Sequence, residues 1–272
     1  MKQKWIGLLL VPLLLMLLAA LDSRLIVRDY TVEAQEITAP VRLAVVADFH
    51  GCDYGEGAQE LFAAIAAQEP DAVLLVGDIY DDDLPWDASD ALVNALVQQY
   101  PCFYVTGNHE YWTEQIDEIL QRLTAAGVTV LDRSSAVLDV RGQRISLCGV
   151  PDPYAMVYSG APDTAVQLAE TLADAEPGTY TILLAHRPEL IDQYAQCGFD
   201  LVVSGHAHGG QVRIPGLLNG LYAPNQGFFP EHAGGRYQVA GTTLIVSRGL
   251  ARESTRLPRI FNRPELVIIT LE

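Results

Sequence analysis

The sequence is poor in cysteine and in basic residues, and it contains no internal repeat or low-complexity tract. None of its four cysteines forms a Cys-x-x-Cys pair, so neither a structural zinc site nor a redox pair is expected. The chain has 17 Lys and Arg against 34 Asp and Glu, a formal net charge of -17. This balance argues against a nucleic acid polymer as partner, because a surface that binds phosphate backbones is normally basic. A small phosphorylated substrate is compatible with this negative charge if a metal supplies the positive charge at the site. Nothing in the sequence predicts a protein partner.

Length and hydrophobicity favour one large domain. The chain has 272 residues, half of them hydrophobic, and no linker-like segment interrupts it after residue 41. We therefore expect three parts: residues 1–22 as a membrane anchor or uncleaved signal, residues 23–40 as a polar connector, and residues 41–272 as the catalytic domain.

The N-terminus carries the longest uncharged run. After Lys2 and Lys4, the segment Trp5–Leu21 contains no charge and is rich in leucine, which predicts a slightly short or tilted transmembrane helix. A cleaved secretory signal is the alternative, but the run is longer than the roughly 7 to 15 residues usual there and no Ala-x-Ala site closes it. Lys2 and Lys4 favour a single-pass anchor in the cell membrane with an extracytoplasmic domain, although Arg24 and Arg28 beyond the run argue for the opposite orientation.

Five apolar, strand-like runs each end in residues that can bind a metal. The runs alternate with helical patterns at 58–68, 88–99 and 114–126, as expected for crossover connections between parallel strands. Because the carboxyl ends of parallel strands meet on one side of a sheet, these residues should share one cleft. They are Asp48, His50, Asp78, Asn108, His109, His186, His206 and His208. The later strand candidates are too many for one sheet, so a second sheet is expected to pack on the first.

Several nearby residues have more than one interpretation. His206 and His208 alone could be ordinary hydrogen-bonded histidines, and Asp81 to Asp83 are predicted to form a solvated turn, with metal or substrate recognition as the alternative. Asp152 follows a strand without an accompanying histidine, so we place it outside the site. Arg187 could meet a phosphate or lie on the surface, and the segment 227–237, with Phe228 and Phe229, could cap the cleft or form a plain surface loop.

Imidazole nitrogens and carboxylate oxygens without thiolates suit two divalent transition ions, Mn²⁺, Fe²⁺ or Zn²⁺. A bridging carboxylate commonly holds such a pair, which lowers the pKa of a bound water and produces a hydroxide that attacks phosphorus in line. Hydrolysis of a phosphate ester is the chemistry that this donor set favours.

The motif set resembles the calcineurin-like metallophosphoesterase family. The resemblance rests on five blocks in their usual order: Asp48-x-His50, Gly77-Asp78, Gly107-Asn108-His109-Glu110, His186 and Gly205-His206-x-His208. The wording around Asp78 and His206 looks most like the small membrane-associated bacterial branch of YkuE-type and YaeI-type phosphoesterases.

This resemblance implies a four-layer α/β/β/α sandwich of two mixed sheets and a role for each matching residue. Asp48, His50 and His208 would bind one metal. Asn108, His186 and His206 would bind the other, and Asp78 would bridge the two. His109 would be catalytic, stabilising the phosphoryl charge or protonating the leaving oxygen, and Glu110 would orient it. The resemblance identifies no substrate-binding residue.

The expected function is therefore that of a membrane-tethered, dinuclear phosphoesterase acting on a small phosphorylated or lipid-linked substrate through a phosphodiester or pyrophosphate bond. One alternative is a pyrophosphatase of the UDP-2,3-diacylglucosamine type, which acts on a nucleotide-linked lipid precursor. The other is an inactive metal-binding scaffold, which would be expected to lack ligands that this chain retains.

Overall fold

A computed structural model describes residues 11–12, 14–252 and 258–272 of the chain. The strands in these ranges are β1 (Ile26–Val32), β2 (Val41–Val46), β3 (Ala72–Val76), β4 (Cys102–Val105), β5 (Thr129–Val130), β6 (Ser134–Val140), β7 (Gln143–Gly149), β8 (Tyr180–Leu184), β9 (Leu201–Ser204), β10 (Tyr222–Ala223), β11 (Gly227–Phe228), β12 (Gly235–Val239), β13 (Thr242–Val246) and β14 (Glu265–Leu271). The helices of the domain are α1 (Gln59–Ala66), α2 (Asp87–Val97), α3 (Asn108–Trp112), α4 (Ile116–Ala126), α5 (Tyr154–Tyr158), α6 (Thr164–Asp174) and α7 (Ile191–Cys197).

Two six-stranded mixed sheets form the centre of the domain. The first has the order β1-β14-β2-β3-β4-β5, in which β2 to β5 are parallel and β14 runs antiparallel to β2. The second has the order β12-β13-β9-β8-β7-β6, with four parallel central strands and an antiparallel strand at each edge. The strands β10 and β11 form a separate hairpin.

Alternating side chains of the central strands fill three apolar layers. Leu43, Val45 and Leu74 of the first sheet share a core with Leu147 and Ile182 of the second. The opposite faces are covered by helices: α1, α2 and α4 pack on the first sheet, and α6 and α7 pack on the second. Each fully buried aliphatic side chain contributes about 1.5–3 kcal/mol. The predicted four-layer sandwich of two mixed sheets is confirmed.

The segment 23–40 differs from the expected connector. It contains β1, which pairs in parallel with β14 from Ile26↔Glu265 to Val32↔Leu271, so the segment is part of the folded domain. The strand lies at a sheet edge and its side chains at Arg28 and Asp29 are polar, as edge strands often are. That polarity is what made the segment look like a linker.

The predicted transmembrane run Trp5–Leu21 lies partly outside the described residues. Within the ranges given above, no helix is both long and apolar enough to cross a bilayer. The described residues at 11–12 and 14–20 are helical, and Val11, Leu15 and Leu18 among them are more than half exposed. The end of this helical segment touches the domain where the amide of Phe261 donates to the carbonyl of Ala20 at 2.7 Å.

Candidate metal centre

The predicted ligands converge where the parallel strands of both sheets end. Asp48 and His50 follow β2, Asp78 follows β3, and His206 and His208 follow β9. All five have positive φ, between 46° and 65°. A non-glycine residue in this left-handed region costs of order 1–3 kcal/mol and persists only where its surroundings impose it. Ten other non-glycine residues among those described also have positive φ, but five of the seven candidate ligands share this conformation, which is consistent with a functional site at the strand ends.

The first cluster consists of Asp48, His50 and His208. Their candidate ligand atoms all lie within 4.8 Å of one another, and the three side chains are buried. Asp48 Oδ2, His50 Nε2 and His208 Nδ1 are buried without a hydrogen-bond partner among the described residues. Orphaned polar atoms are costly in a protein interior, and an ion held by these three residues would offer such atoms a partner.

The second cluster consists of Asp78, His186 and His206, with Asn108 beside it. Its candidate ligand atoms also lie within 4.8 Å of one another. His186 Nδ1 donates to the carbonyl of Val76 at 2.8 Å, which directs Nε2 toward the cluster as the nitrogen that could bind a metal once it is deprotonated. His186 Nε2 and Asn108 Oδ1 are buried without hydrogen-bond partners in the part of the chain that the structure describes.

One carboxylate oxygen lies between the two clusters. Asp78 Oδ2 is 3.0 Å from His186 Nε2 and 3.8 Å from His50 Nε2, and the described residues offer it no hydrogen bond. The other oxygen, Oδ1, accepts the backbone N–H of His109 at 2.9 Å. Asp78 therefore presents a free oxygen to a residue of each cluster, as a bridging ligand would.

Metal binding requires neutral imidazole, and the four candidate histidine ligands differ in this respect: neighbouring carboxylates raise the pKa of His50 and His186 against the effect of burial, whereas the pKa of the other two is lowered. Burial lowers the pKa of His206 and His208 well below the ordinary value, so both are neutral. His186 behaves in the opposite way: burial lowers its pKa, but the carboxylates of Asp78 and Asp48 outweigh burial and raise it to about 10. In the absence of a cation, a protonated His186 therefore neutralises part of the carboxylate charge.

A third group that could hold a metal, His50, Asp81 and His109, overlaps the first cluster. We interpret it as support for the ligands, because its atoms already bind each other: His50 Nδ1 lies 2.6 Å from Asp81 Oδ2. A carboxylate that accepts the second ring nitrogen of a ligating histidine fixes the ring and raises its basicity. Asp81 is buried, so the predicted solvated turn is wrong at this residue.

The arrangement fits a pair of divalent ions, and the comparisons with known proteins agree. The calcineurin-like phosphoesterase family model matches residues 41–210, which include all seven candidate metal ligands. The chain belongs to the calcineurin-like phosphoesterase family. By family and by site it is a metal-dependent phosphoester hydrolase.

Relatives of this phosphoesterase cover most of the chain. It is 27% identical to the metallophosphoesterase YkuE of Bacillus subtilis over 238 residues, 85% of this chain and 79% of that protein. It is 27% identical to the phosphodiesterase YaeI of Escherichia coli over 239 residues, 86% and 83% of the two chains. A bovine transmembrane protein with a metallophosphoesterase domain is 29% identical, with 85% of this chain and 53% of that protein aligned. The structure of the NAD nucleotidase NadN of Haemophilus influenzae shares the fold, with a TM-score of 0.52 at 19% identity over 78% of this chain and 45% of that one.

In this phosphoesterase, His109 stands at the mouth of the cleft and is oriented by an unexpected residue. His109 Nδ1 lies 2.6 Å from Asp82 Oδ1 and 3.4 Å from Asp81 Oδ2, while 20% of the His109 side chain is exposed. The expectation that Glu110 orients His109 is wrong. Glu110 is buried and accepts four backbone N–H groups, those of Asp78, Ile79, Tyr80 and Gly107, so it holds the loop that carries Asp78.

Arg187 is buried in the site rather than lying on the surface. Asp152, which we had placed outside the site, forms a two-pronged ion pair with its guanidinium. Arg187 Nη1 lies 2.6 Å from Asn225 Oδ1, and the same oxygen lies 2.9 Å from His206 Nε2. Asn225 Oδ1 thus accepts from Arg187 and lies within hydrogen-bond distance of His206 Nε2, which Arg187 Nη1 also approaches to 2.9 Å.

The metal centre opens into a small cleft. It has a volume of about 90 Å³ and is lined by ligands of both clusters together with His109, Trp112, Tyr154, Arg187, Pro224 and Asn225. Since a water occupies about 30 Å³ in the liquid, the cleft admits a phosphoryl group but not a whole nucleotide. Phe228 and Phe229 are not among the lining residues, and both are about 70% exposed. Pro224 and Asn225, just before the segment predicted as a cap, reach the cleft instead.

Proposed function

We propose that this protein is a membrane-tethered, dinuclear phosphoesterase that hydrolyses a phosphodiester or pyrophosphate bond. The observation that carries the proposal is the pair of buried ligand clusters that share the free oxygen Oδ2 of Asp78. Asp48, His50 and His208 would hold one divalent ion. Asn108, His186 and His206 would hold the second, with Asp78 between them.

Two divalent ions in these clusters supply Lewis acidity toward a phosphoryl oxygen and acidity toward a water molecule. The chain supplies the remaining groups. Arg187 is the fixed cation that lines the cleft, so a non-bridging phosphoryl oxygen would meet its guanidinium. Asp82 holds Nδ1 of His109. Nε2 of His109 is then the nitrogen that would donate a hydrogen bond to the departing oxygen or protonate it.

The surface beyond Arg187 supports a substrate with an organic group on each side of phosphorus. A second cavity, of about 470 Å³, shares Tyr154, Arg187 and Asn225 with the metal cleft and is also lined by Val157 and Leu190. This cavity would accept an apolar or aromatic substituent while the phosphoryl group sits in the cleft. The name of the Escherichia coli relative, phosphodiesterase YaeI, agrees with this preference.

The same cavity favours one alternative substrate within the class, a nucleotide-linked lipid precursor that would be cleaved at its pyrophosphate bond. The acyl chains of such a precursor would need apolar contacts. An orientation with Lys2 and Lys4 on the cytoplasmic side would separate such a substrate from the domain. Comparing turnover of aryl phosphodiesters, nucleotides, glycerophospholipids and nucleotide-linked lipids distinguishes the two substrates.

Tethering rests on the uncharged run Trp5–Leu21 and on the exposure of most of its described apolar residues. These are Val11, Leu14, Leu15, Met16, Leu17, Leu18 and Leu21, each of them more than half exposed. The name of the bovine relative, a transmembrane protein, agrees with it. Accessibility of tags at the two termini of the chain would establish whether residues 1–22 anchor the protein and whether the domain faces away from the cytoplasm.

Hydrolysis of bis(p-nitrophenyl) phosphate with added Mn²⁺ tests the chemistry. We expect metal-stimulated turnover in the native protein, loss of turnover and of bound metal in Asp78→Asn, and a fall of about 10²–10⁴-fold in kcat for His109→Ala with metal retained. His232→Ala removes the one histidine outside the site and Asp117→Asn changes an exposed carboxylate of α4, so both should keep native activity. Absence of metal-stimulated turnover in the native protein with every substrate class would identify a scaffold instead.

A further inference from the structure

A cavity apart from the metal cleft is lined by three arginines. It has a volume of about 530 Å³, and Arg28 of β1, Arg213, Arg248 and Phe261 form its walls together with the loop 214–219. None of the seven candidate metal ligands lines it. On a chain with a net charge of -17, three guanidinium groups around one cavity are an uncommon concentration of positive charge.

The arginines are only partly neutralised. Among the described residues, Glu265 is the carboxylate that pairs with them, with Oε2 at 3.3 Å from Arg248 Nε and 4.0 Å from Arg28 Nε. Both of these Nε atoms are buried and have no hydrogen-bond partner among the described residues. Burial and the neighbouring Arg248 lower the pKa of Arg213 to about 10, although Glu265 opposes this. An anion in the cavity would supply both the missing acceptors and the missing charge.

The rim of the cavity is apolar and faces solvent. In the loop 214–219, Leu217 is 83% exposed and Ile214 is 45% exposed. The backbone carbonyl of Gly209 and the side chain of Asn219 fix Arg213 beneath this loop. Exposed aliphatic side chains beside partly buried cations are the arrangement that an anionic membrane surface accommodates, with acyl chains around the aliphatic groups and phosphates at the arginines.

The cavity also lies beside the N-terminal helical segment. Phe261 of the cavity wall donates its amide to the carbonyl of Ala20, at the end of that segment. Arg28 follows Ala20 by only eight positions and lies in the domain's edge strand β1. An apolar segment that enters a bilayer would therefore bring this face of the domain to the level of the lipid headgroups.

We propose that the cavity binds the phosphate of an anionic phospholipid headgroup, with Arg28, Arg213 and Arg248 as its ligands and Leu217 inserted among the acyl chains. A free phosphate would satisfy the arginines but would leave Ile214 and Leu217 in water, so the observations favour the lipid. This site would fix the orientation of the domain on the membrane. It goes beyond hydrolysis and does not depend on it.

The test uses the full chain in dodecyl maltoside micelles and measures the thermal unfolding midpoint. Dioleoyl phosphatidylglycerol, dioleoyl phosphatidylcholine or inorganic phosphate is added in separate titrations. A ligand that binds only the folded state raises the midpoint with concentration. We expect phosphatidylglycerol to raise it at low mole fraction, and phosphatidylcholine and millimolar phosphate to leave it unchanged.

Variants assign the effect to the cavity. Arg28→Gln and Arg213→Gln should each require at least a tenfold higher mole fraction of phosphatidylglycerol for the half-maximal shift, and Leu217→Ser should weaken the shift as well. Arg122→Gln, in an exposed arginine outside the cavity, is the matched control and should behave as the native protein. Arg28 lies at a sheet edge, so Arg28→Gln keeps the test valid if Arg213→Gln fails to fold.

Two results would overturn the proposal. An unchanged phosphatidylglycerol titration in both arginine variants would show that the lipid acts elsewhere, and an equal shift with inorganic phosphate would show a site for a free anion. Metal-stimulated hydrolysis of bis(p-nitrophenyl) phosphate should be retained in Arg28→Gln, so failure of the lipid site is distinguishable from failure of the proposed catalytic function.

Discussion

Replacement of Asp82 tests whether this residue positions His109 for catalysis. In Asp82→Asn the side chain keeps an oxygen that can accept from His109 Nδ1 but loses its charge, and in Asp82→Ala it loses both. His109 Nδ1 lies 2.6 Å from Asp82 Oδ1, and the more distant Asp81 Oδ2, at 3.4 Å, can replace only part of that contact. We therefore expect catalysis to fall in the order native, Asn, Ala.

The size of the effect follows from the exposure of the pair. A hydrogen bond to a charged group contributes about 1.5–3 kcal/mol when buried, but 27% of the Asp82 side chain is exposed, which lowers the value. About 1–2 kcal/mol lost from the transition state corresponds to roughly a 5- to 30-fold fall in kcat, since 1.36 kcal/mol is a factor of ten. Asp82→Ala should lie at the upper end of this range and Asp82→Asn at the lower end.

The assay compares kcat for aryl phosphodiesters whose leaving groups differ in pKa. If Asp82 acts through proton transfer by His109, the deficit should grow as the leaving group becomes more basic, while bound metal and the unfolding midpoint stay native. Asp83→Asn is the matched control, because Asp83 is the adjacent exposed acid of the same run. An equal deficit in Asp83→Asn, or one independent of the leaving group, would refute the positioning role.

Three further predictions concern the support of the metal centre. In Gly107→Ala the added Cβ would clash with the carboxylate of Asp78, so metal content should fall by more than tenfold on metal analysis and turnover should fall as much in the same assay. The control Gly142→Ala has open space for its Cβ and carries only the backbone strain of its positive φ, in a turn outside the site, so it should keep both. Native metal content in Gly107→Ala would contradict this. Glu110→Gln places a donating amide where four backbone N–H groups need acceptors. The free energy of unfolding measured in urea should therefore fall by about 2–5 kcal/mol. A fall of less than about 0.5 kcal/mol would argue against the role of Glu110 in holding the Asp78 loop. Since the pKa of His186 in the metal-free protein is raised to about 10, the ring is protonated at pH 8 and must lose this proton to bind a metal. Calorimetric titration with Mn²⁺ in two buffers of different ionisation enthalpy should therefore show release of about one proton. A binding heat that does not depend on the buffer would exclude this proton release. Because folding raises the pKa of His186 from its ordinary value of 6.5, the stabilisation that protonated His186 gives the metal-free protein is fully present below pH 6.5 and is lost as the pH rises through about 10.

The central part of the fold could be predicted because its strands are buried on both faces. The segments β2, β3 and β4 read as continuous apolar runs with helices between them, a pattern that specifies parallel strands. The edge strands β1 and β12 escaped prediction because half of their side chains face solvent and the sequence there is polar. The partner of β1 is β14, which lies far away in the chain, so the local sequence gives no sign of that pairing.

The candidate ligands were predictable for the same reason, since each directly follows a predicted strand. The residues that support them were not, because their partners are remote: Arg187 pairs with Asp152, 35 positions earlier, and Asn225, 38 positions later. Asp81 carried one usable signal, its place three residues after Asp78 at the end of β3, but a run of acids resembles a solvated turn. Only the fold shows that Asp81 is turned inward to His50.

The metal-free site has features that oppose stability of the fold, and this bears on what the site is for. Five candidate ligands lie in left-handed conformations that cost of order 1–3 kcal/mol each. Burial, with the nearby charge of Asp78, raises the pKa of Asp48 and so disfavours the charged form of that carboxylate, whereas neighbouring imidazoles outweigh burial and hold the pKa of Asp78 well below its ordinary value. A core selected for stability alone would relieve both problems with apolar side chains or glycine. Divalent cations relieve the charge without changing a residue, because they neutralise both carboxylates and give the orphaned nitrogens a partner. The strain and the unpaired charge are therefore consistent with each other only if the strand ends are organised around bound cations.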